Sequence, residues 1–256
     1  MNVYLLAAPT VDRFWRGVLD PLLKAPEIDV VGAAIDARPP PPARAKLRRE
    51  LGKGRGGYVL VQALNAVRRR APAESTADYL RAWNIPVDEV TDLYSAKTLA
   101  AIRATNPDCL FRFGFGFIRE PVLSLAPKGV LSYHHGDIRR YRGQPVGFWE
   151  LLHGECEMGV TVQILNERLD AGEIVVERHI PIHAGDSLGS LERRAYDEST
   201  GLVYEACRLL DDNGFVPLTV PDKELGAVYT TPNLRTWLTL QARVAARKAR
   251  VAVGRN

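Results

Sequence analysis

Short, unbroken apolar runs alternate along this chain with stretches whose apolar residues recur every three or four positions. Residues 2–8 and 28–35 are runs of the first kind, bounded by polar residues or turns, and read as buried strands. Between them, Phe14 to Lys24 sets Trp15, Val18 and Leu22 on one helical face. Strand, helix, strand at this spacing is a βαβ unit, the opening of a doubly wound sheet. The chain then breaks at Arg38-Pro-Pro-Pro-Pro, which suits neither a helix interior nor a central strand, and a basic segment follows from Arg44 to Arg70.

The alternation then resumes. Ser95 is placed to cap a helix running through Ala104, with Leu99 and Ile102 inward and Asn106-Pro107 ending it. Cys109 to Phe113 reads as a strand, Val122 to Leu125 as a short helical piece, and Gly129 to His134 as another buried strand. Val146 to His153 reads as helix, and Gly159 to Leu165 and Glu173 to Ile182 as strands. Asp186 or Ser187 caps one long helix whose Leu188, Leu191, Ala195, Leu202, Ala206 and Leu209 share a stripe. The expected fold class is α/β, a Rossmann-like, doubly wound, mostly parallel sheet. Residues 1–210 form its domain, and 211–256 a short C-terminal extension with a basic helical tail.

Composition narrows the class without naming a chemistry. With 256 residues, 46% hydrophobic and 25% charged, the chain sits near the averages of soluble globular proteins, which excludes collagen-like, disordered and disulfide-scaffold readings. The net charge of +4 invites a nucleic-acid partner, but six basic residues lie after Glu224 with no acidic residue among them, so residues 1–224 carry −2. The segment Leu234 to Val253 reads as a helix with a solvated basic face, in preference to a nucleic-acid arm. The 3 cysteines are far apart and form no C-x-x-C pair, which disfavours disulfides and zinc and fits a reducing cytoplasm. The start lacks a basic n-region and reaches Asp12 and Arg13 quickly, so a first strand is expected there and not a signal peptide. No apolar stretch is long enough to suggest a membrane span.

One motif is a decoy. Gly52-Lys-Gly-Arg-Gly-Gly57 has the letters of a dinucleotide-binding G-x-G-x-x-G. It follows a basic helical stretch instead of a strand, and no acidic ribose ligand ends a strand about 20 residues on. It reads as a surface loop.

Candidate chemistry concentrates between Gly129 and Gly172. Ser132-Tyr-His-His-Gly-Asp137 closes an apolar strand, where open α/β sheets place their sites. Alternation sends His134 and His135 to opposite faces, so one serves a cleft while the other packs. Their spacing does not suit metal ligation, and no metal is expected. Asp170, in Leu169-Asp-Ala-Gly172 between two strands, is by itself turn chemistry. With the histidine strand it becomes a candidate acid/base group for the same cleft.

The run Gly129-Val-Leu-Ser-Tyr-His-His-Gly-Asp-Ile-Arg-Arg-Tyr-Arg-Gly143, with Pro145, Trp149, Gly154-Glu155, Gly159-Val-Thr161 and Leu169-Asp-Ala-Gly172, resembles the formyltransferase superfamily that uses 10-formyltetrahydrofolate. The resemblance covers roughly residues 95–182, including Phe113-Gly-Phe-Gly-Phe-Ile118, which is similar to the family's strand-to-loop segment along the folate. It implies the formyltransferase fold and a catalytic domain over 1–210. The family's Asn-His-Asp trio falls on Ser132, His134 and Asp170, so the Asn is replaced by Ser. His134 and Asp170 are then implied to serve the oxyanion and the proton relay, Ser132 to be a second donor, and Thr161 to bond Asp170 or water. His135 stands where the family usually has Pro or Gly. Phe115, Gly116, Phe117, Ile118 and Asp170 are implied to meet the folate.

The implied activity is formyl transfer from 10-formyltetrahydrofolate to the amine of a small molecule, a nucleotide amino sugar or a specialised-metabolite amine. The segment Ala7-Ala-Pro-Thr-Val-Asp12 lacks the glycine-rich phosphate loop of the glycinamide-ribonucleotide members, which disfavours that acceptor. The 46 residues after the long helix are too few for the tRNA enzyme's further domain, so tRNA is not the expected partner. Tyr229-Thr-Thr-Pro-Asn233 is a candidate lining for the acceptor site or for a homodimer face. The rival expectations are a formyltetrahydrofolate hydrolase, an altered one-carbon or acyl transfer, and a folate-binding protein that has lost catalysis with the Asn.

Overall fold

The computed structural model describes residues 1–40 and 74–253, with positions 42, 44, 48 and 52 between them. Apart from those positions, the 52–57 glycine run and the basic segment 44–70 lie outside the described residues. In chain order the elements are β1 (Asn2–Ala7), β2 (Thr10–Val11), α1 (Arg13–Lys24), β3 (Asp29–Asp36), β4 (Glu74–Ser75), α2 (Thr76–Arg81), β5 (Val87–Val90), α3 (Ala96–Ala104) and β6 (Cys109–Arg112). Then follow β7 (Val130–His134), β8 (Tyr141–Gly143), α4 (Phe148–His153), β9 (Glu157–Ile164), β10 (Glu173–Pro181), α5 (Leu188–Ser199), α6 (Leu202–Asp211), β11 (Ala227–Tyr229) and α7 (Leu234–Val253).

The central sheet runs β10-β9-β7-β6-β1-β3-β5. The five strands from β5 to β7 are parallel, and β9 and β10 join antiparallel, giving the mostly parallel α/β sheet expected. Both faces are covered, which is why the strands read as continuous apolar runs. Along β1, Val3, Leu5 and Ala7 enter one core with Val18, Leu191 and Leu202. Tyr4 and Leu6 enter another with Leu99, Ile102 and Val130. The chain winds from β1 outward to β3 and β5, then returns to β6 on the other side of β1. That reversal opens a crevice beyond the carboxyl ends of β1 and β6, and β7 ends beside it.

Helix starts follow local chemistry. Asp12 caps α1 by accepting the Trp15 N–H at 3.1 Å, and Ser95 caps α3 by accepting the Thr98 N–H at 3.2 Å. Ser187 caps α5 and forms a capping box with Ser190, while Asp186 instead pairs with Arg194 at 2.6 Å.

Three expectations need correction. The single long helix after residue 187 is two, α5 and α6, broken at Thr200-Gly201, where glycine removes the helix propensity that would carry the stripe through. Val122 to Leu125 is not helical: Val122 donates to the Arg119 carbonyl at 3.0 Å and Leu125 to the Val122 carbonyl at 3.2 Å, two successive turns hemmed by Pro121 and Pro127. The helix expected from Val146 starts only at Phe148, because Gly147 holds φ +66°.

The C-terminal segment is built into the body. β11 pairs in parallel with β8, and Tyr229 packs against Tyr141 and Trp149 at ring separations of 5.4 and 4.8 Å. On α7, Leu240 and Val244 are buried, and the Arg243 guanidinium donates to the Leu152 carbonyl of α4. Lys248 and Arg250 keep the expected solvated face. No helix among the described residues is long and apolar enough to cross a membrane.

Candidate active site

The pleat of β7 sorts the histidines. Ser132 and His134, two residues apart, share one face, and both are buried. Tyr133 and His135 turn to the other, where the His135 ring lies 5.4 Å from Tyr133, 5.4 Å from Phe14 and 4.8 Å from Tyr196. His135 Nε2 is buried without a hydrogen-bond partner among the described residues, and burial pushes its imidazole down to about 3, so the ring is neutral at physiological pH.

His134 is held on both edges. Its Nε2 stands 2.7 Å from the Tyr141 carbonyl, which fixes the proton on that nitrogen, because a carbonyl only accepts. Its Nδ1 stands 3.4 Å from Asp170 Oδ2. Gly136 makes room for the ring, since a Cβ there would lie 2.5 Å from His134 Nε2.

Asp170 reaches the histidine because its backbone takes the left-handed conformation, φ +44°, a turn geometry that Asp tolerates. The Gly143 N–H donates to Asp170 Oδ2 at 2.9 Å. Arg142 donates from Nε to the Leu169 and Asp170 carbonyls, both at 3.0 Å. Farther along the turn, Asn166 holds the Ala171 carbonyl at 2.6 Å and Gln163 accepts the Gly172 N–H at 2.8 Å. A short loop with this many fixed groups presents one carboxylate in one place. Thr161 does not join it: its hydroxyl donates to the Gly136 carbonyl at 3.0 Å and braces the turn under His134, so the implied contact with Asp170 is not made.

The Phe113–Ile118 loop divides its residues. Gly114 is required by close approach, because a Cβ there would lie 2.3 Å from the Ala7 carbonyl carbon at the end of β1. Gly116, Phe117 and Ile118 line a cavity of about 180 Å³ with Ser132 and Asp170. Phe115 is buried and packs with Ile118 and Val122, so its ring belongs to the core beneath the loop. A second cavity, of about 270 Å³, lies beside His135 and takes in Asp12, Phe14, Gln144 and Tyr196. The residues around Tyr229 do not line it.

Sequence reasoning passed over one side chain. Arg112 ends β6, register-paired with Ser132 on β7, and lines both cavities. Its Nη1 donates to Ser132 Oγ at 3.2 Å and its Nε to the Gly114 carbonyl at 2.9 Å. Burial draws the guanidinium below its usual range, with the Asp170 charge opposing that pull. The signal was present in Cys109-Leu-Phe-Arg-Phe113: a lone cation at the carboxyl end of an otherwise apolar strand.

An open α/β sheet thus brings a histidine and a carboxylate together at its switch-point crevice, with the carboxylate lining one cavity and a second cavity adjoining it at Arg112 and Ser132. A match to the Formyl transferase family model spans residues 65–207, more than half of the chain, and the chain belongs to that family. It is 32% identical over 150 residues to a methionyl-tRNA formyltransferase of Anaeromyxobacter sp. (strain K), a stretch covering 58% of this chain and 47% of that protein. The chain thus spans about half the length of the curated relatives it matches. Among solved structures, the fold is similar to an N-formyltransferase from Helicobacter canadensis, solved with folinic acid and dTDP-3-aminofucose, at TM-score 0.62 and 14% identity, covering 95% of this chain and 80% of that one. It is also similar to glycinamide ribonucleotide transformylase 1 from Symbiobacterium toebii, at TM-score 0.57 and 17% identity, covering 89% and 93%. At these identities the likeness concerns the fold.

Proposed function

We propose that this protein transfers a formyl group from 10-formyltetrahydrofolate to the amine of a small molecule, with residues 1–210 as the catalytic domain and 211–256 as an extension bound to it. The observation that carries the reading is the 3.4 Å approach of His134 Nδ1 to Asp170 Oδ2 at the end of β7, with Asp170 lining one cavity and Ser132, on the His134 face of β7, lining that cavity and a second. Family membership supports the reaction class. The 180 Å³ cavity fits one planar heterocycle, and its lining of Gly116, Phe117, Ile118 and the Asp170 loop suits a pterin. When bound, the folate supplies the formyl group and its departing nitrogen.

The chain's own residues divide the work. Asp170, fixed by Gly143 and Arg142, orients His134 and accepts the proton that the attacking amine must lose, directly or through a water. His134, with Nε2 committed to the Tyr141 carbonyl, keeps its Nδ1 edge beside Asp170, and from that edge it is to meet developing negative charge. Ser132 adds a hydroxyl donor where the family has an amide. Phe117 and Ile118 exclude water from one side. The 270 Å³ cavity is the acceptor's side, and its aromatic walls suit a compact amine more readily than a diphosphate.

The test is consumption of 10-formyltetrahydrofolate with nucleotide amino sugars, simple alkyl and aryl amines, and methionyl-tRNA as separate acceptors. Tetrahydrofolate release that depends on a small amine is expected. Formate release without any amine would make the protein a hydrolase. Transfer to methionyl-tRNA alone would contradict the acceptor class, and no reaction in any mixture would overturn the reading.

A further inference from the structure

The Ser132 position poses a chemical problem. A serine hydroxyl is shorter than an amide and offers one donor, and a site lacking one oxyanion donor gives up about 10²–10³-fold in rate. The structure puts a larger donor in the adjoining register position. Arg112 on β6 pairs with Ser132 on β7, and the Arg112 side chain bonds Ser132 Oγ at 3.2 Å and the Gly114 carbonyl at 2.9 Å. Two fixed bonds leave this long side chain little rotamer freedom, which is the condition for a preorganised donor. Nη2 has no hydrogen-bond partner among the described residues, and no carboxylate there lies within ion-pair distance of the guanidinium.

A half-buried cation without a carboxylate partner carries a desolvation cost that an arriving negative charge would offset. Asp170 is near enough to act on it through space, yet it forms no ion pair with the guanidinium and meets the Gly143 N–H and His134 through Oδ2. Arg112 also lines both cavities, the only side chain besides Ser132 that the two share among the described residues. A group at the boundary between donor and acceptor cavities stands where the carbon under attack must sit.

We propose that Arg112, held by Ser132 and Gly114, is a catalytic residue that donates from its guanidinium to the formyl oxygen as the tetrahedral intermediate forms. The assignment rests on the formyl-transfer reading. The amine lone pair forms the new C–N bond, and the C=O π pair moves to oxygen as a full negative charge that Arg112 and His134 share. The charge then returns to re-form C=O as the bond to the folate nitrogen breaks, and that nitrogen takes up the proton the amine lost through Asp170. Arg112 stays protonated throughout, so the proton count closes without it. Ser132 is here a positioning residue as well as a weak donor.

Two measurements test this. Hydroxylamine serves as a compact neutral acceptor, giving formohydroxamate from 10-formyltetrahydrofolate, with formate release in its absence followed in parallel. Arg112→Met is expected to lose about 10²–10³-fold in kcat for whichever reaction the wild type performs. Tetrahydrofolate binding is measured alongside, so that the loss in kcat is read at saturating folate. Arg112→Lys keeps a charge without the fork and guards against a folding artefact, with an intermediate loss of about tenfold expected. The second measurement needs no turnover: ¹³C-formate, titrated into protein saturated with tetrahydrofolate and followed by its line width, should bind Arg112→Met about tenfold more weakly than wild type. Unchanged kcat, or a raised KM for the acceptor with kcat intact, overturns the assignment, and so does formate binding equal in wild type and Arg112→Met. If wild type turns over neither acceptor while its formate binding depends on Arg112, the anion-donor assignment stands and the formyl-transfer reading fails.

Discussion

Replacing Gly143 by Ala tests whether the Asp170 carboxylate is held in place by the strand beside it. Gly143 has φ +94°, and a Cβ there would lie 2.0 Å from the Tyr229 carbonyl oxygen on β11. An ordinary contact needs more than an additional ångström, and the blocking atom is backbone, so β8 and β11 must separate. Left-handed strain at a non-glycine residue costs about 1–3 kcal/mol. The Gly143 N–H that bonds Asp170 Oδ2 at 2.9 Å moves with the strand, and a hydrogen bond to a charged group contributes about 1.5–3 kcal/mol. For a chain of this size the combined loss corresponds to a fall in Tm of about 5–15 °C. A displaced carboxylate should lower kcat by about a hundredfold. Gly185→Ala is the control, since its Cβ would meet nothing within 4 Å. The assays are thermal unfolding and single-turnover formyl release. A Gly143→Ala protein that matches Gly185→Ala in both would show that Gly143 does not hold the Asp170 carboxylate.

Two buried titratable groups should shape stability with opposite signs. Burial holds His135 near 3 against an unfolded value of 6.5, so the unfolded chain binds the extra proton, and this stabilisation, full above pH 6.5, falls by up to about 1.4 kcal/mol per unit as pH drops toward 3. Burial raises Glu150 to about 7 against 4.5, so the native state binds the extra proton and its contribution, full below pH 4.5, is lost as pH rises toward 7. Urea unfolding of His135→Phe should therefore show stability falling with pH from 4.5 to 7, and Glu150→Gln should show it rising from 3 to 6.5; parallel profiles for the two variants would contradict both assignments. Leu240→Ala on α7, at a fully buried position, should cost about 2–5 kcal/mol, whereas a tail lying free in solvent would leave unfolding unchanged.

The sheet was legible because buried parallel strands write themselves as short apolar runs: β1, β3, β6 and β7 lie within a residue or two of where the pattern puts them. The caps at Ser95 and Ser187 were legible for the same local reason, a hydroxyl before a periodic stretch. The break between α5 and α6 was hidden because the apolar stripe continues across Gly201, and periodicity counts faces without seeing one weak residue. At the site, alternation on β7 separated His134 from His135, and the resemblance brought Asp170 to the same cleft. Arg112 shows locally as a lone cation ending an apolar strand, but its bond to Ser132 depends on β6 lying beside β7, a pairing across 20 residues that no local window contains. The anchoring of Asp170 by Gly143 was invisible for a like reason, since it joins the end of β8 to a turn 27 residues on.

The central claim is that His134 and Asp170 together carry formyl transfer. The measurement that reaches it most directly compares kcat for 10-formyltetrahydrofolate turnover in wild type, His134→Asn and Asp170→Asn, with tetrahydrofolate binding measured on each protein. His134→Asn is expected to bind tetrahydrofolate within threefold of wild type, and both variants are expected to lose about 10²–10⁴-fold in kcat at saturating folate. Turnover within threefold of wild type in either variant would contradict that claim.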